Sequence, residues 1–600
     1  MNAKHLRSFI TTWLLLLALS SFAQDATLKG LLKGEDGYPL VGATVIVEGT
    51  SPLLGASADL DGNYEISGIK PGTYNIKFSY IGFVTINEEM TFAAGETKSS
   101  SPTMKLDGVL LKEAVVIGYG TTNADDLTGS TKVISKEDFG QGNITTAEQL
   151  ISGKVSGVQI TSNDGAPGSG SKIRIRGGTS LNASNDPLIV IDGVPLDNNS
   201  ISGAANPLTL INPNDIENMV VLKDASAAAI YGSRGANGVI LITTKKGAQG
   251  KTPFQVDLQQ KVSLSTITRK VNVMDTAQFR AAVQEYGTST QSSLMGNANT
   301  DWQDEIYRNA LILETNVGIT GGIKALPYRL SFNYKDENGV LDRDNMKRYA
   351  GGLNLTPKFL DDHLALDIST KYSITKSVFA DKGAIGSAIS FDPTQPVYSN
   401  DPELNGGTYT YPTDYERFGG YYEWIRPNGN PDPLAVRNPV GLLYQRDDFG
   451  NADRFIGNAK LDYKLHFLPD LHLIMNVGYD YAHGYGTVTV SDSAAVSYIQ
   501  GGRQERYDQV KTNQLLETYF NYKKTLEAAK SEIDLTGGYS YQFWHRETKA
   551  FPVFNIAEDT ITPPGIPGWN ENALISSAAP EIYTFNGRYL LTATLRQDGS

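Results

Sequence analysis

The 600 residues carry six histidines, at positions 5, 363, 466, 472, 483 and 545. Imidazole is the side chain best placed to hold a transition metal or to move a proton near neutrality. None of the six stands in an H-E-x-x-H arrangement or another ligand spacing. His466 and His472 flank a short turn and are read as facing a lumen or a membrane–water boundary. GAQGKT at 247–252 ends like a phosphate-cradling loop, but Lys245 stands where the first glycine is required, so the motif fails. Asp59-Leu60-Asp61-Gly62 resembles part of a calcium loop, yet the later ligands and the closing glutamate are missing, and a tight turn is the better reading. Ser226 and Ser233 sit in Gly/Ala-rich sequence with no histidine nearby, and no carboxylate pair stands out as an acid–base couple. The chain has no Cys, which excludes disulfides, thiolate metal sites and a lipidated N-terminal cysteine. The expectation is a non-enzyme without cofactor or metal.

The chemistry that remains is recognition by backbone and surface. Lys112–Gly120 reads KEAVVIGYG, a short strand-like run isolated between a Gly-rich module and a polar spacer. An extended segment without a sheet is a candidate for pairing with a strand of another protein; an edge strand with a linker is the alternative. GGTYTYPTDYERFGGYYEWIRPNGNPDP at 406–433 is dense in aromatic and polar groups. Such a loop suits sugar rings, peptide backbone or a docking protein; the alternative is a loop packed on its own aromatics. The net charge of -13 lacks the basic footprint of a nucleic-acid binder.

The N-terminus MNAKHLRSFITTWLLLLALSSFAQ has basic Lys4 and Arg7, an apolar run from Phe9 to Leu19, then Ser21-Phe22-Ala23. This is the pattern of an export signal over residues 1–23, cut between Ala23 and Gln24. The apolar run is well short of the roughly 20 residues that span a bilayer as a helix. Residues 27–106 alternate in short strands (Ala43, Val45, Val47; Tyr74, Ile76, Phe78) cut by Asp-Gly and Pro-Gly turns, as in a small β-sandwich. Residues 112–121 hold the isolated strand and its linker. Residues 122–248 mix short helices with buried strands in a compact α+β pattern. From 249 to 600 the chain is a series of dyad-period strands; Tyr328, Leu330, Phe332 and Tyr334 alternate with Arg329, Ser331, Asn333 and Lys335.

Two features point to a membrane barrel. Many strands reach about ten residues, enough to cross a bilayer at a tilt. Short connections (324–327, 358–362, 467–469, 526–530, Asn586-Gly587) alternate with longer ones (269–312, 338–346, 379–451, 485–510, 547–573), as in outer-membrane barrels. Roughly eleven strands can be counted, where a barrel enclosing a folded plug takes about 22; the expectation is the front part of a longer protein.

PLIVIDGVP and NPNDIENMVVLKDASAAAIYGSRGANGVILITTKKG closely resemble the plug signature of SusC/RagA-type TonB-dependent outer-membrane transporters, and DWQDEIYR at 301–308 and YLLTATLRQDGS at 589–600 resemble later landmarks of that family. The 27–106 module resembles the carboxypeptidase-regulatory-like domain, a transthyretin-like sandwich. The resemblance implies a mainly β protein with sandwich, plug and part of a transmembrane antiparallel barrel, its N-terminal domain in the periplasm and its strands in outer-membrane lipid. It also implies that Lys112, Glu113, Ala114, Val115, Val116, Ile117 and Gly118 form the TonB box, which pairs with TonB, energised through ExbB/ExbD. A SusD-like surface lipoprotein and a glycan or peptide substrate complete the implied partners. EAVVIGYG departs from the usual acidic pair before valines, and SRGANG from the commoner SRAANG. A surface receptor or adhesin that binds without transporting is the second reading.

Overall fold

The computed structural model describes residues 25–34, 39–59, 61–80, 83–105, 114–117, 120–123, 131–140, 144, 146–162, 165–177, 185–197, 200–204, 207–223, 231–248, 253–323, 326–399, 417–526, 531–565, 567–585 and 589–599. Two compact units make up the chain; the first runs to Ala114, and most of the later residues belong to the second.

The first unit is a β-sandwich. One sheet runs Leu54–Ser57, Thr44–Glu48, Gly72–Ser79, Ile86–Phe92; another places Ala26–Leu31 between Asn63–Ile69 and Thr97–Ser99. The alternation read from the sequence is the packing: Ala43, Val45, Val47, Ile76 and Phe78 are fully buried in one core with Leu28, Ile66 and Ile69. Asp59 makes a turn, its Oδ1 accepting from the N–H of Asp61 (3.0 Å) and Asn63 (2.8 Å), with Gly62 at φ 82°.

The second unit contains the plug and the wall around it. The plug sheet has the order Thr131–Ser135, Ile216–Leu222, Val239–Thr244, Leu188–Ile191, Val194–Pro195, with Val239–Thr244 parallel to Leu188–Ile191. Leu188–Ile191 is an unbroken apolar run because it is covered on both faces. Ile189, Ile191, Val221, Ile240 and Ile242 share a core with Leu150 and Ile151 of a short helix, and with Ile173 and Ile175 of the hairpin Val158–Ser162/Ser171–Ile175.

Eleven long antiparallel strands follow in sequential order among the described residues: β1 (Gln255–Ser265), β2 (Ala310–Ile323), β3 (Leu326–Asn338), β4 (Asn345–Leu355), β5 (Leu364–Val378), β6 (Arg446–Leu465), β7 (Leu468–Val490), β8 (Arg503–Leu526), β9 (Ser531–Lys549), β10 (Gly568–Phe585) and β11 (Tyr589–Gly599). The short connections all lie at one end and the longer ones at the other. One expectation needs correcting. The connection expected at 485–510 is only 491–502, because β7 and β8 stay paired from Leu471↔Tyr522 to Val490↔Arg503. β8 has 24 residues. At about 3.3 Å per residue it outruns any bilayer, so its outer half is a ribbon beyond the membrane, held by the same ladder.

The wall inverts the burial of a soluble sheet. On β3, Leu330 and Phe332 are 43% and 49% exposed, whereas Asn333 and Lys335 are 0% exposed. On β4 Arg348 is fully buried, beside Met346 on the same face. Met475, Val477 and Tyr479 face out on β7 while Asn476 and Asp480 face in. Leaving such rows in water would forfeit about 25 cal/mol per Å²; a hydrocarbon solvent removes that cost. No described helix is long and apolar enough to cross a membrane.

Phe332 lies midway along β3 and Leu326 at its end. In the full-length protein refolded into bilayers, Phe332→Arg should lower the unfolding free energy by about 2–4 kcal/mol, and Leu326→Arg by at most about 1, read by urea titration. Equal effects would mean that this face does not meet lipid.

Candidate functional site

Ala114–Ile117 forms a strand paired with Gly120–Asn123 in a two-stranded sheet. The expectation of an unpaired segment is therefore corrected: alone, the run folds back on its own downstream residues, which supply the nearest free ladder. Lys112, Glu113 and Gly118 lie outside the described residues, as do Ala23 and Gln24.

The larger site is the contact between plug and wall, which combines polar ties with apolar patches where Ile201, Ala204 and Leu210 of the plug meet Ala452 and Ala482, and where Ile456 of β6 joins the plug core. At the Asp192-Gly193 turn the Asp192 carboxylate accepts from Thr244 N–H (2.9 Å), Thr244 Oγ1 (2.7 Å) and Ser369 Oγ on β5 (2.9 Å), and pairs with Lys371. Burial opposes its charge, but Lys371 and these donors prevail and hold the carboxyl below its ordinary range. Asp215 takes Arg329 (3.2 Å) and Ser331 (2.8 Å) of β3. Arg348 of β4 donates to the plug carbonyls of Thr209 (3.0 Å) and Ile211 (3.3 Å) and to Asn333 (3.0 Å), with Glu314 at 3.6 Å. On the other flank Lys511 donates to Ser200 O (2.8 Å), Arg546 pairs with Asp197 (2.8 Å) and Asn513 donates to Pro195 O. Arg234 donates to Gln542 (2.8 Å) and lies over the Trp544 ring.

Sequence reading saw the lumen-facing polar residues as a row but could not name their plug partners. The pairs are more than 100 residues apart, and a dyad pattern reports a face, not a contact. The failed motifs have structural roles or none. His363 and His466 stack at 4.1 Å, His466 meets Tyr463 Oη (2.9 Å) and His472 meets Asp462 (2.6 Å). Among the described residues no three His, Cys, Asp or Glu are grouped to hold a metal.

The outer connections are folded. Trp302, Ile306, Ala384, Phe391, Val440 and Leu443 form a core joined by Tyr421, Tyr422 and Trp424. The aromatic loop is thus self-packed in its described part, 417–433; 406–416 lie outside the described residues. Beside this core a cleft of roughly 640 Å³, open mouth included, is lined by Glu423, Arg437, Arg446 and Arg503.

Residues 123–239 match the TonB-dependent Receptor Plug Domain and residues 28–116 the CarboxypepD_reg-like domain. The chain is 40% identical over 604 residues to TonB-dependent receptor SusC of Bacteroides thetaiotaomicron, covering 97% of this chain and 57% of that protein. It is 32% identical over 633 residues to TonB-dependent receptor P3 of Formosa agariphila, covering 100% of this chain and 57% of that protein. The chain thus spans little more than half the length of these relatives. In fold it is similar to the RagAB peptide importer in its open-open state (TM-score 0.63, 20% identity, 81% of this chain, 56% of that chain).

Glu423 gives the outer core a pH response. Burial pushes its carboxyl up to about 7, against the Asn438 N–H (2.9 Å) and Arg437 (3.7 Å), which both favour the anion. A raised carboxyl favours the folded loop while it is protonated. That contribution is complete below the unfolded value near 4.5 and is lost as pH rises through about 7. Amide exchange in 417–445, corrected for intrinsic rates, should therefore show more opening at pH 8 than at pH 5. Glu423→Gln should flatten the profile; an unchanged profile in that variant would assign the response elsewhere.

Proposed function

The chain belongs to the SusC/RagA-type TonB-dependent receptors, which are outer-membrane β-barrel proteins, and from that premise we propose that the full-length protein imports a bulky nutrient, a glycan oligosaccharide or peptide, using energy delivered by TonB with ExbB/ExbD. The observation that carries the reading is a folded plug tied across the lumen to the wall on both flanks by hydrogen bonds and ion pairs. Such contacts are made and broken reversibly; a passive pore has no use for them. Family relatives are receptors and transporters, not enzymes, and transport needs no chemistry on the cargo.

In this reading residues 112–118 are the TonB box. Its support is place and marginal stability. The segment precedes the plug, and an isolated two-stranded hairpin is barely stable in water, so a strand offered by TonB can replace Gly120–Asn123 as partner. Backbone hydrogen bonds would supply the affinity. A SusD-like lipoprotein as a lid over the outer loops is supported by the likeness to RagAB, a peptide importer solved in open-open and closed-closed states. Export would precede all of this, with the mature protein beginning at Gln24, which N-terminal sequencing of the membrane-inserted form checks; a start at Met1 would overturn it.

Deleting 113–118 from the full-length protein should abolish accumulation of labelled oligosaccharide or peptide and leave binding to de-energised cells near normal. Val116→Pro should be nearly as severe, because it removes a ladder donor. Uptake that survives the deletion would sink the TonB reading; binding lost along with uptake would make the segment part of the folded plug. Binding without uptake in the unaltered protein would leave the receptor reading instead.

A further inference from the structure

The cleft beside the folded outer connections holds an arginine that the protein itself does not use. One side of the cleft is formed by Glu423 and Arg437 of the β5–β6 connection. The other is the outer ribbon of β7 and β8, through Val488, Val490 and Arg503. Val488 and Val490 stand on the same face of β7 as Asn476 and Asp480, which face the lumen. The cleft therefore lies on the lumen side of the ribbon, where cargo arrives, and not on the lipid side.

Most charges at the cleft are matched within the protein. Arg446 pairs with Asp448 (2.9 Å) and lies 4.0 Å from Asp381, and Arg503 pairs with Glu505. Arg437 differs. Its guanidinium makes no hydrogen bond to a described residue, and its nearest carboxylate oxygen, Glu423 Oε2, is 3.7 Å from Nη1, beyond hydrogen-bond reach. The Glu423 side chain is 4% exposed; Asn438 N–H donates to Oε1 (2.9 Å), while Oε2 has no hydrogen-bond partner. Below pH about 7 burial keeps this carboxyl protonated, and Arg437 then has no anion of its own. Polar groups inside a folded protein are nearly always hydrogen-bonded, so a guanidinium with unfilled donors at a cleft wall calls for an acceptor from outside. Its planar fork matches a carboxylate, which takes two parallel N–H groups. A tetrahedral sulfate or phosphate asks for donors from several sides, and only one unengaged guanidinium lines this cleft among the described residues. Leu442, Val488, Val490 and Val496 supply apolar surface for the carbon that carries the carboxylate.

Resting on the reading of the chain as a receptor for a bulky nutrient, we propose that this cleft is a specificity subsite for cargo that bears a carboxylate, a uronate-containing oligosaccharide or an acidic peptide, with Arg437 as the residue that takes the carboxylate. Glu423 sets the pH at which it does so. Protonated, Glu423 leaves Arg437 free and has a hydrogen to donate to the incoming carboxylate. Ionised, it competes for Arg437 and repels the ligand. The other charges facing the cleft, Asp381, Arg446, Arg503 and Glu505, with Asp448 behind Arg446, are engaged with one another. Affinity for a carboxylate should therefore fall as pH rises through about 7.

The test measures equilibrium binding to the full-length protein of an oligogalacturonate mixture and of an acidic peptide mixture, each as the free acid and as its methyl ester, at pH 5.5 and pH 8. At pH 5.5 at least one free acid should bind at least tenfold more tightly than its ester, and the one that does names the source of the carboxylate. Arg437→Gln should bring that acid down to the level of its ester and leave the ester unchanged, which also shows that the variant is folded. Between pH 5.5 and pH 8 the acid should weaken about tenfold and the ester not at all; Glu423→Gln should hold the acid at its pH 5.5 affinity throughout. Equal binding of acid and ester, failure of both acids to bind, or a loss in Arg437→Gln that the ester shares would each overturn the subsite. An acid whose binding ignores pH in the unaltered protein would overturn the part given to Glu423. The import reading is judged apart from these, by TonB-dependent accumulation of neutral and acidic probes in cells. Accumulation without discrimination between acid and ester keeps import and removes the subsite, whereas discrimination without accumulation keeps the subsite and removes import.

Discussion

Every backbone N–H and C=O inside hydrocarbon needs a partner from the chain itself, because no water is present to serve. That constraint sets the rest of the structure. It requires an unbroken ladder, such as the pairing from Leu364↔Tyr463 to Val378↔Phe449, and a closed barrel is the arrangement of strands that leaves no edge in lipid. The ladder fixes side-chain period at two, so each strand must show one face to lipid and the other to the lumen. Phe332 outside and Asn333 inside are one consequence. A lumen lined with Arg348, Lys335 and Asn513 is the other, and that lumen in turn asks for polar partners on the plug.

The plug answers that requirement with carbonyls and short carboxylates. Its core of isoleucine and valine reaches the wall only at small patches such as Ile456, and its polar ties run through Asp192, Asp197, Asp215 and the backbone of Thr209, Ile211 and Pro195. Removing one member of a buried pair leaves the other uncompensated and costs about 3–5 kcal/mol. The same pair, opened to water on both sides, loses far less, since water replaces each partner. The interface is therefore firm while dry and yielding once wetted. Wetting starts most readily where plug and wall already stand apart, in a cavity whose wall side carries Asn458, Asn476 and Glu517.

Much of this was legible in the sequence, for reasons that differ by element. Alternation on β3 and β7 survives any tertiary arrangement, because the pleat imposes it locally. The plug strand PLIVI is legible for the opposite reason, as an uninterrupted apolar run covered on both faces. Strand ends beyond the membrane were not legible. Val488, Thr489 and Val490 are β-branched and strand-like in composition, but that β7 reaches them unbroken depends on β8 lying beside it and on the cluster Val488 and Val490 form with Ala494. The packing of the aromatic loop was illegible for a related reason. Tyr421, Tyr422 and Trp424 have the composition of a ligand surface, but Phe391 and Val440 supply a core that takes them. The Lys371–Asp192 clamp, 179 residues apart, has no trace in either stretch taken alone.

The order of strands in the plug sheet bears on how a pull could be transmitted. Force applied to the segment before Thr131 reaches Thr131–Ser135 first. That strand is at the sheet edge and pairs only with Ile216–Leu222, from Thr131↔Leu222 to Ser135↔Asn218. Drawn from its Thr131 end, an edge strand peels pair by pair, so it yields to less force than a strand sheared along its whole ladder. Its loss bares Ile216–Leu222 and then Val239–Thr244, whose Thr244 supplies two of the bonds to Asp192. The Asp192-Gly193 turn lies toward the far end of this series, next to the hairpin edge Val194–Pro195. In a sheet of this order a pull crossing from one edge to the other meets the Asp215 tie beside the second strand before the Asp192 tie beside the fourth.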